Sequence, residues 1–439
     1  MGEGAAIPAR PAQKDVVRAV VAATIGNGLE WFDYISFAFF TPMLAKTFFP
    51  SADPTLGLIL TWASFGIGVV VRPFAGAILG HYGDRIGRRR VLSGIIIAMA
   101  LGSLIIAITP GYATIGVAAP ILILAARILQ GISATGEYSS GIAYLVEYAA
   151  PGRKFLFGSY QFVSQQLATV LATLSAFAVT HWLKDIEWAW RLPFLAGIVV
   201  APIGLYLRLR IAEAPEFSAL LARAPKTGHE PFSTFIKRNW MGVVSTVGVV
   251  VPGTVMIYLW FLYGPSYAIS QLKMDADDIH LITALTAGGA MLTTPLVGYL
   301  ADRTGPWRWF LPAMVVFGVS ALPMFQFMIA QPSSWHFFEC QAVAMVLYGL
   351  MQGPSAQLTA SFFPIGMRSS GLGLSINLSV ALFGGLAPFY VTQMIHDTGD
   401  KMIPAYYIIV AMIIGLGLLV IGNFGKVAWA AARKQEKSA

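Results

Sequence analysis

The stretch GHYGDRIGRRR, Gly80 to Arg90, decides the fold. It lies between two apolar runs of membrane length, Thr55 to Leu79 and Val91 to Thr109. A loop this short and this basic between such runs reads as a cytoplasmic turn, because Lys and Arg are retained on that side of a bilayer. The spacing is G-x-x-x-D-R-x-G-R-R, with Gly80, Asp84, Arg85, Gly87, Arg88 and Arg89 at the defining positions. The glycines permit a tight turn and close helix approach, and the acid can lock or release neighbouring helix ends by pairing with a base. These are the parts of a gate, not of a catalytic centre.

Composition agrees with a membrane chain. Of 439 residues, 56% are hydrophobic and 11% charged, far from the balance of a soluble domain. The net charge of +8 forms no continuous patch, so nucleic acid is not an expected partner, whereas the lipid bilayer is. About twenty-two of the Lys and Arg residues fall in loops on the side that holds both termini, about five on the other side, and Arg72 and Arg127 inside helices. Both termini are therefore expected in the cytoplasm, with an even number of spans between them. Cys340 is the only cysteine and the six histidines never pair at a ligand spacing. No metal site and no cofactor are expected. The first apolar run is too long for a cleavable signal and leads directly into further spans, as an uncleaved anchor does.

Read in order, the chain gives a polar tail at 1–16 and then twelve spans at approximately 17–44, 56–80, 90–109, 116–148, 156–182, 191–210, 239–269, 279–301, 308–330, 336–362, 371–396 and 403–425. The longest polar interval divides them into two sets of six, giving bundles at 17–210 and 239–425, a cytoplasmic linker at 211–238 and a C-terminal tail at 426–439. The linker reads equally as a solvated connector or as part of a gate. The predicted fold class is all-α: two pseudo-symmetric six-helix bundles around a central cavity, with substrate near the membrane midplane.

Ionisable groups at that depth are costly and are functional candidates by default. Helix one carries Glu30 and Asp33, three residues apart and so on one face. Helix two carries Arg72, and helix four carries Arg127, Glu137 and Glu147. Asp33 and Arg127 are expected at comparable depth. An aspartate beside an arginine stays charged, and takes a proton when substrate or helix motion separates them. A permanent structural ion pair is the plainer alternative, and Glu30 or Glu137 are alternative proton carriers. Arg72 is either a substrate counter-ion or a partner of Asp33 or Glu30. Glu147, Arg153, Asp84 and Arg88 read as a cytoplasmic gate. Uncharged polar groups furnish the cavity: Gln161, Gln165 and Gln166 on helix five, Tyr258 and Tyr263 on helix seven, Gln352 and Gln357 on helix ten, and Asn377 on helix eleven. Amides and phenols suit a hydrogen-bonding solute, although part of such a set serves to cross-link helices.

The Gly80 to Arg90 loop resembles the signature loop between the second and third helices of the major facilitator superfamily. That resemblance implies a weaker copy half a chain later. One is present at Gly298, Asp302, Arg303 and Gly305, with Pro306 and Trp307 in place of the two arginines. In the superfamily's sugar porters an acid on helix one and an arginine on helix four form the proton-coupling pair. Asp33 and Arg127 are similar, Arg127 preceding Glu147 by twenty residues as that pattern requires. Further motifs resemble the metabolite:proton symporter family: Gly26-Asn27 with Glu30-Trp31-Phe32-Asp33, Arg72-Pro73, Gln130-Gly131 with Gly136-Glu137-Tyr138, Glu213 with Pro215-Glu216-Phe217, and Ala381 to Pro388. A single Gly136 stands where many members have a glycine pair. Ser164-Gln165-Gln166 and the run Thr109 to Pro120 are similar to the citrate and tricarballylate branch. The resemblance implies a monomeric carrier in a bacterial inner membrane that takes up a small organic anion with protons. A carrier of a zwitterion such as proline or betaine is the alternative, since Arg72-Pro73 does not separate the two.

Overall fold

In hydrocarbon every backbone N–H and C=O must find a partner within its own segment, so a spanning chain of this composition folds as helices. The computed structural model describes residues 24, 27–28, 31–75, 88–135, 137–198, 232–364 and 368–422. In chain order the helices are α1 (31–39, continued by Thr41–Phe48), α2 (Pro54–Ala75), α3 (Arg88–Ile108), α4 (Ala118–Ser133 and Glu137–Tyr148), α5 (Lys154–His181) and α6 (192–198). The second half gives α7 (Phe232–Val255, through Met256–Tyr263, to Gly264–Ser270), α8 (Ala276–Thr304) and α9 (Trp307–Ala330). It continues with α10 (Ser334–Ser361), α11 (Arg368–Val380, through Ala381–Gly385, to Ala387–Thr398) and α12 (Ile403–Ile421). Each predicted span overlaps one of these helices where it is described, and no strand occurs among the described residues. Among those residues, α2, α5, α7, α8, α9, α11 and α12 are long and apolar enough to cross a membrane.

The starts are set by local chemistry. Asp53 accepts the Thr55 N–H at 2.8 Å and Pro54 follows at the first helical position, which fixes where α2 begins. Asp275 accepts the N–H groups of Asp277 and Asp278 to open α8, and Ser333 accepts from His336 to open α10.

Two six-helix bundles, α1–α6 and α7–α12, make up the molecule, and small residues let their helices approach. A Cβ at Gly131 of α4 would stand 1.8 Å from the Gly68 carbonyl oxygen of α2, so only glycine permits that crossing. Gly141 meets the Gln161 amide of α5, while Gly136 lies outside the described residues.

Between the bundles, α5 lies along α8. At the end where α2 gives way to α3, the Asp302 carboxylate accepts the N–H groups of Phe155 and Leu156 at 2.9 and 3.0 Å. At the opposite end Asp277 accepts from Thr180 at 2.6 Å and meets His181 at 2.8 Å. The second seam joins α2 and α4 to α11. Glu147 and Arg368 form an ion pair of 3.1 Å at the α2/α3 end, Asn377 donates to the Thr135 carbonyl at 3.1 Å, and Asp53 meets His396 at 2.7 Å at the opposite end. That contact and the Thr55 N–H hold the Asp53 carboxyl below the usual carboxylate range. The molecule is thus bridged at both ends.

Two helices depart from regular geometry where they pass the centre. Met256–Tyr263 in α7 and Ala381–Gly385 in α11 are wide, π-type turns. The second precedes Pro388, whose missing N–H leaves a carbonyl one turn earlier without its regular partner.

Candidate functional site

A narrow cavity lies between the bundles. From the first bundle Trp31, Arg72 and Gln165 line it; from the second come Tyr258, Gln352, Ser355 and Asn377. Its polar groups are unevenly satisfied. Ser355 donates to the Gln352 amide oxygen at 3.1 Å. By contrast Arg72 Nε and Nη2 and both amide atoms of Gln165 are buried without a hydrogen-bond partner among the described residues. A buried donor left unpaired costs roughly 1–3 kcal/mol, and more when charged. A cavity lined this way is suited to a solute that accepts hydrogen bonds.

Behind Arg72 lies a second cluster. Asp33 is only 3% exposed, and its Oδ2 accepts from Ser103 Oγ of α3 and from Gln130 Nε2 of α4, the latter at 2.8 Å. The same amide accepts from Arg127 Nη1 through Oε1 at 2.6 Å. Asp33 and Arg127 are therefore not in direct contact: the Gln130 side chain stands between them with its carbonyl toward the cation and its NH2 toward the anion. Arg127 is fully buried, its guanidinium 4.4–4.7 Å from the rings of Tyr34, Phe37 and Phe65. The Arg72 guanidinium lies against the same Tyr34 ring at 4.5 Å. Asp33 Oδ1 has no hydrogen-bond partner among the described residues and faces Gly197 of α6, where a Cβ would come within 2.7 Å of it.

Of the residues predicted from sequence, Arg72, Gln165, Tyr258, Gln352 and Asn377 line the cavity. Gln161 instead donates to Asn27 at 3.2 Å, part of an α1–α5 cross-link with Ser164. Gln166 and Gln357 are buried away from the cavity lining, and Tyr263 accepts from Thr392 at 3.3 Å toward the α1/α2 end. Among the gate residues, Glu147 pairs with Arg368, Asp302 caps α5, and Arg303 lies 4.3 Å from the Tyr299 ring. Arg153 precedes the first turn of α5. Glu30, Gly80, Asp84, Arg85 and Gly87 lie outside the described residues, and Arg88, Arg89 and Glu137 are described by their backbone alone, each in the first turn of a helix. The sequence reading gave no site role to Ser103, Gln130, Trp31, Arg368 and His396, although Trp31 and Gln130 stand in its family motifs. Gln130 was within reach of it, being three residues beyond Arg127 and so on the same helical face. Ser103 and Arg368 join the site only through tertiary packing.

Three comparisons bear on this geometry. Residues 23–388 match the family profile described as Major Facilitator Superfamily. The citrate-proton symporter of Klebsiella pneumoniae is 35% identical over 404 residues, covering 91% of this chain and 90% of that protein. The proline/betaine transporter of Salmonella typhimurium is 30% identical over 410 residues, covering 91% and 82%. Among solved structures, the proton:xylose symporter XylE bound to 6-bromo-6-deoxy-D-glucose superposes with a TM-score of 0.74 at 15% identity, covering 93% of this chain and 95% of the other. That likeness establishes the twelve-helix fold.

Proposed function

Because the chain belongs to the major facilitator superfamily, matched over residues 23–388, we propose that it is a proton-coupled symporter that imports a small di- or tricarboxylate, such as citrate, by alternating access. The observation that carries the choice of solute is the pair Arg72 and Gln165 in the cavity, with four buried polar atoms in want of an acceptor or donor. A guanidinium binds a carboxylate through two parallel N–H bonds, and in a water-poor cavity that pairing is strong. The amide beside it adds a donor for a second carboxylate or a hydroxyl. The similarity to a citrate-proton symporter supports the same solute.

The proton in this reading goes to Asp33. Its Oδ2 is held by two donors while Oδ1 is open to protonation. Protonation cancels a buried charge that opposes closing of the cavity. The bridges Glu147–Arg368 and Asp302–α5 serve as one gate, to which the sequence reading adds Asp84, Arg88 and Arg89 of the basic loop. We place the protein in a bacterial inner membrane with both termini in the cytoplasm, working as a monomer without cofactor.

A second reading, a carrier of proline or betaine, has its own support in the cavity. Trp31 and Tyr258 present aromatic rings that suit a quaternary ammonium group, and a proline/betaine transporter is among the relatives. Uptake into proteoliposomes under an imposed acid-outside gradient separates the two. Citrate is expected to accumulate, and a protonophore to abolish its accumulation. Accumulation of betaine or proline alone would transfer the assignment to the second reading, and accumulation indifferent to the gradient would remove proton coupling.

A further inference from the structure

Tyr34 stands where the cavity and the buried acid meet. Its ring centre is 4.5 Å from the Arg72 guanidinium carbon and 4.6 Å from that of Arg127. Arg72 lines the cavity, and Arg127 leads through Gln130 to Asp33. Trp31 and Phe65 fix the ring from two sides at 5.8 and 4.9 Å, and Tyr34 as a whole is 3% exposed. Its hydroxyl has no hydrogen-bond partner among the described residues, so the π face is the working part and not the phenol.

Two guanidinium groups this close repel each other. The face of an electron-rich ring offsets that repulsion for each desolvated cation. We infer that Tyr34 is a positioning residue that ties the substrate cavity to the proton site, holding Arg72 beside the Arg127 that reaches Asp33 through Gln130. The charged and titratable groups around this point are Arg72 on α2, Arg127 on α4 and Tyr258 on α7. From α3 and α6 the acid meets Ser103 and Gly197, and Glu30 of α1 lies outside the described residues.

The consequence is a linkage. With the cavity empty of anion, the positive charge of Arg127 supports the ionised form of Asp33 through Gln130. A carboxylate bound to Arg72 brings a negative charge to the same ring and draws on Arg127, and Asp33 then takes one proton from solvent onto Oδ1. The proton offsets the one carboxylate charge placed on Arg72; a second carboxylate of the solute enters with its own charge. Reciprocity requires that the proton strengthen anion binding by the same factor. This deepens the symport reading and rests on it.

The test is equilibrium binding of 2-oxoglutarate to the purified full-length protein at about pH 6 and about pH 8, with citrate as a second probe. Both carboxyl groups of 2-oxoglutarate are ionised across that range, so a pH effect belongs to the protein. Wild type and Tyr34→Phe, which keeps the π face, are expected to bind about tenfold more tightly at the acid pH. Tyr34→Met, similar in bulk but without a π face, is expected to bind with that ratio reduced below about threefold. If Tyr34→Met does not fold, Gln130→Leu, which severs the next joint of the same path, must show the same loss. A wild-type ratio in Tyr34→Met, or in Gln130→Leu where Met fails, overturns the role of Tyr34, as does loss of the ratio in Tyr34→Phe. A wild type that binds neither acid, or binds without pH dependence, overturns the symport reading and this inference together.

Discussion

At the scale of single residues, the arrangement around Asp33 is decided by an amide. Gln130 stands between the two groups and bonds one atom of each with a single side chain. A direct buried pair is strongly destabilised when its halves are parted, by roughly 3–5 kcal/mol. With the amide between them, the acid can change its charge without stripping the arginine of its partner. Asp33→Asn, which keeps acceptor and shape but cannot carry a proton, is expected to abolish uphill accumulation while sparing exchange of labelled for unlabelled substrate. Counterflow and gradient-driven uptake in the same vesicles check this, and normal accumulation would exclude Asp33 as the coupling group. Much of this site was legible beforehand, because an ionisable group inside an apolar span is conspicuous against its background: Asp33, Arg72 and Arg127 stand out for that reason. Ser103 is an ordinary polar residue in a span, and nothing local distinguishes a serine that touches an acid from one that only bonds its own helix, whereas Gln130 is marked by its place one turn beyond Arg127. Arg368 follows the apolar run Phe362 to Met367, and its sequence surroundings gave no sign that it is buried against Glu147 from the other half of the chain.

At the scale of helices, the spans were legible because their length and apolar content are dictated by the membrane rather than by packing. The interruptions were less so. The wide turns in α7 and α11 contain no charge to mark them, and their positions depend on what each helix meets at the centre: Gly385 lies against Val69 of α2, and Gly384 against Tyr258 of α7. The glycine crossing of α2 and α4 offers the sharpest test of helix packing. Gly131→Ala forces a Cβ into the Gly68 carbonyl, so the helices must separate, at a cost of about 1–3 kcal/mol. Gly288→Ala on α8 meets nothing within 4 Å, and is expected within about 0.5 kcal/mol of wild type. Thermal unfolding in detergent should therefore show a clear drop for the first variant and none for the second; equal melting temperatures would deny the close approach.

At the scale of the whole molecule, the two bundles are joined by separate bridges at each end. Glu147 and Arg368 are both buried, their side chains 7% and 3% exposed, so removing one leaves the other charged and poorly solvated. Arg368→Gln is expected to disfavour the form closed at that end by about 3 kcal/mol or more, which is over a hundredfold in population. Spin labels at the exposed positions Ala150 and Ser370, in a background with Cys340 replaced, report the change. Their separation should lengthen by several ångströms, and an unchanged distance distribution would deny the bridge a closing role. The contacts at the opposite end, Asp53 with His396 and Asp277 with His181, share no residue with it. Under the alternating-access reading this separateness is that of an airlock. A continuous leak of ions needs both doors ajar at one moment, and breaking the contacts of one leaves those of the other in place. Such a carrier can sit idle in an energised membrane without draining it.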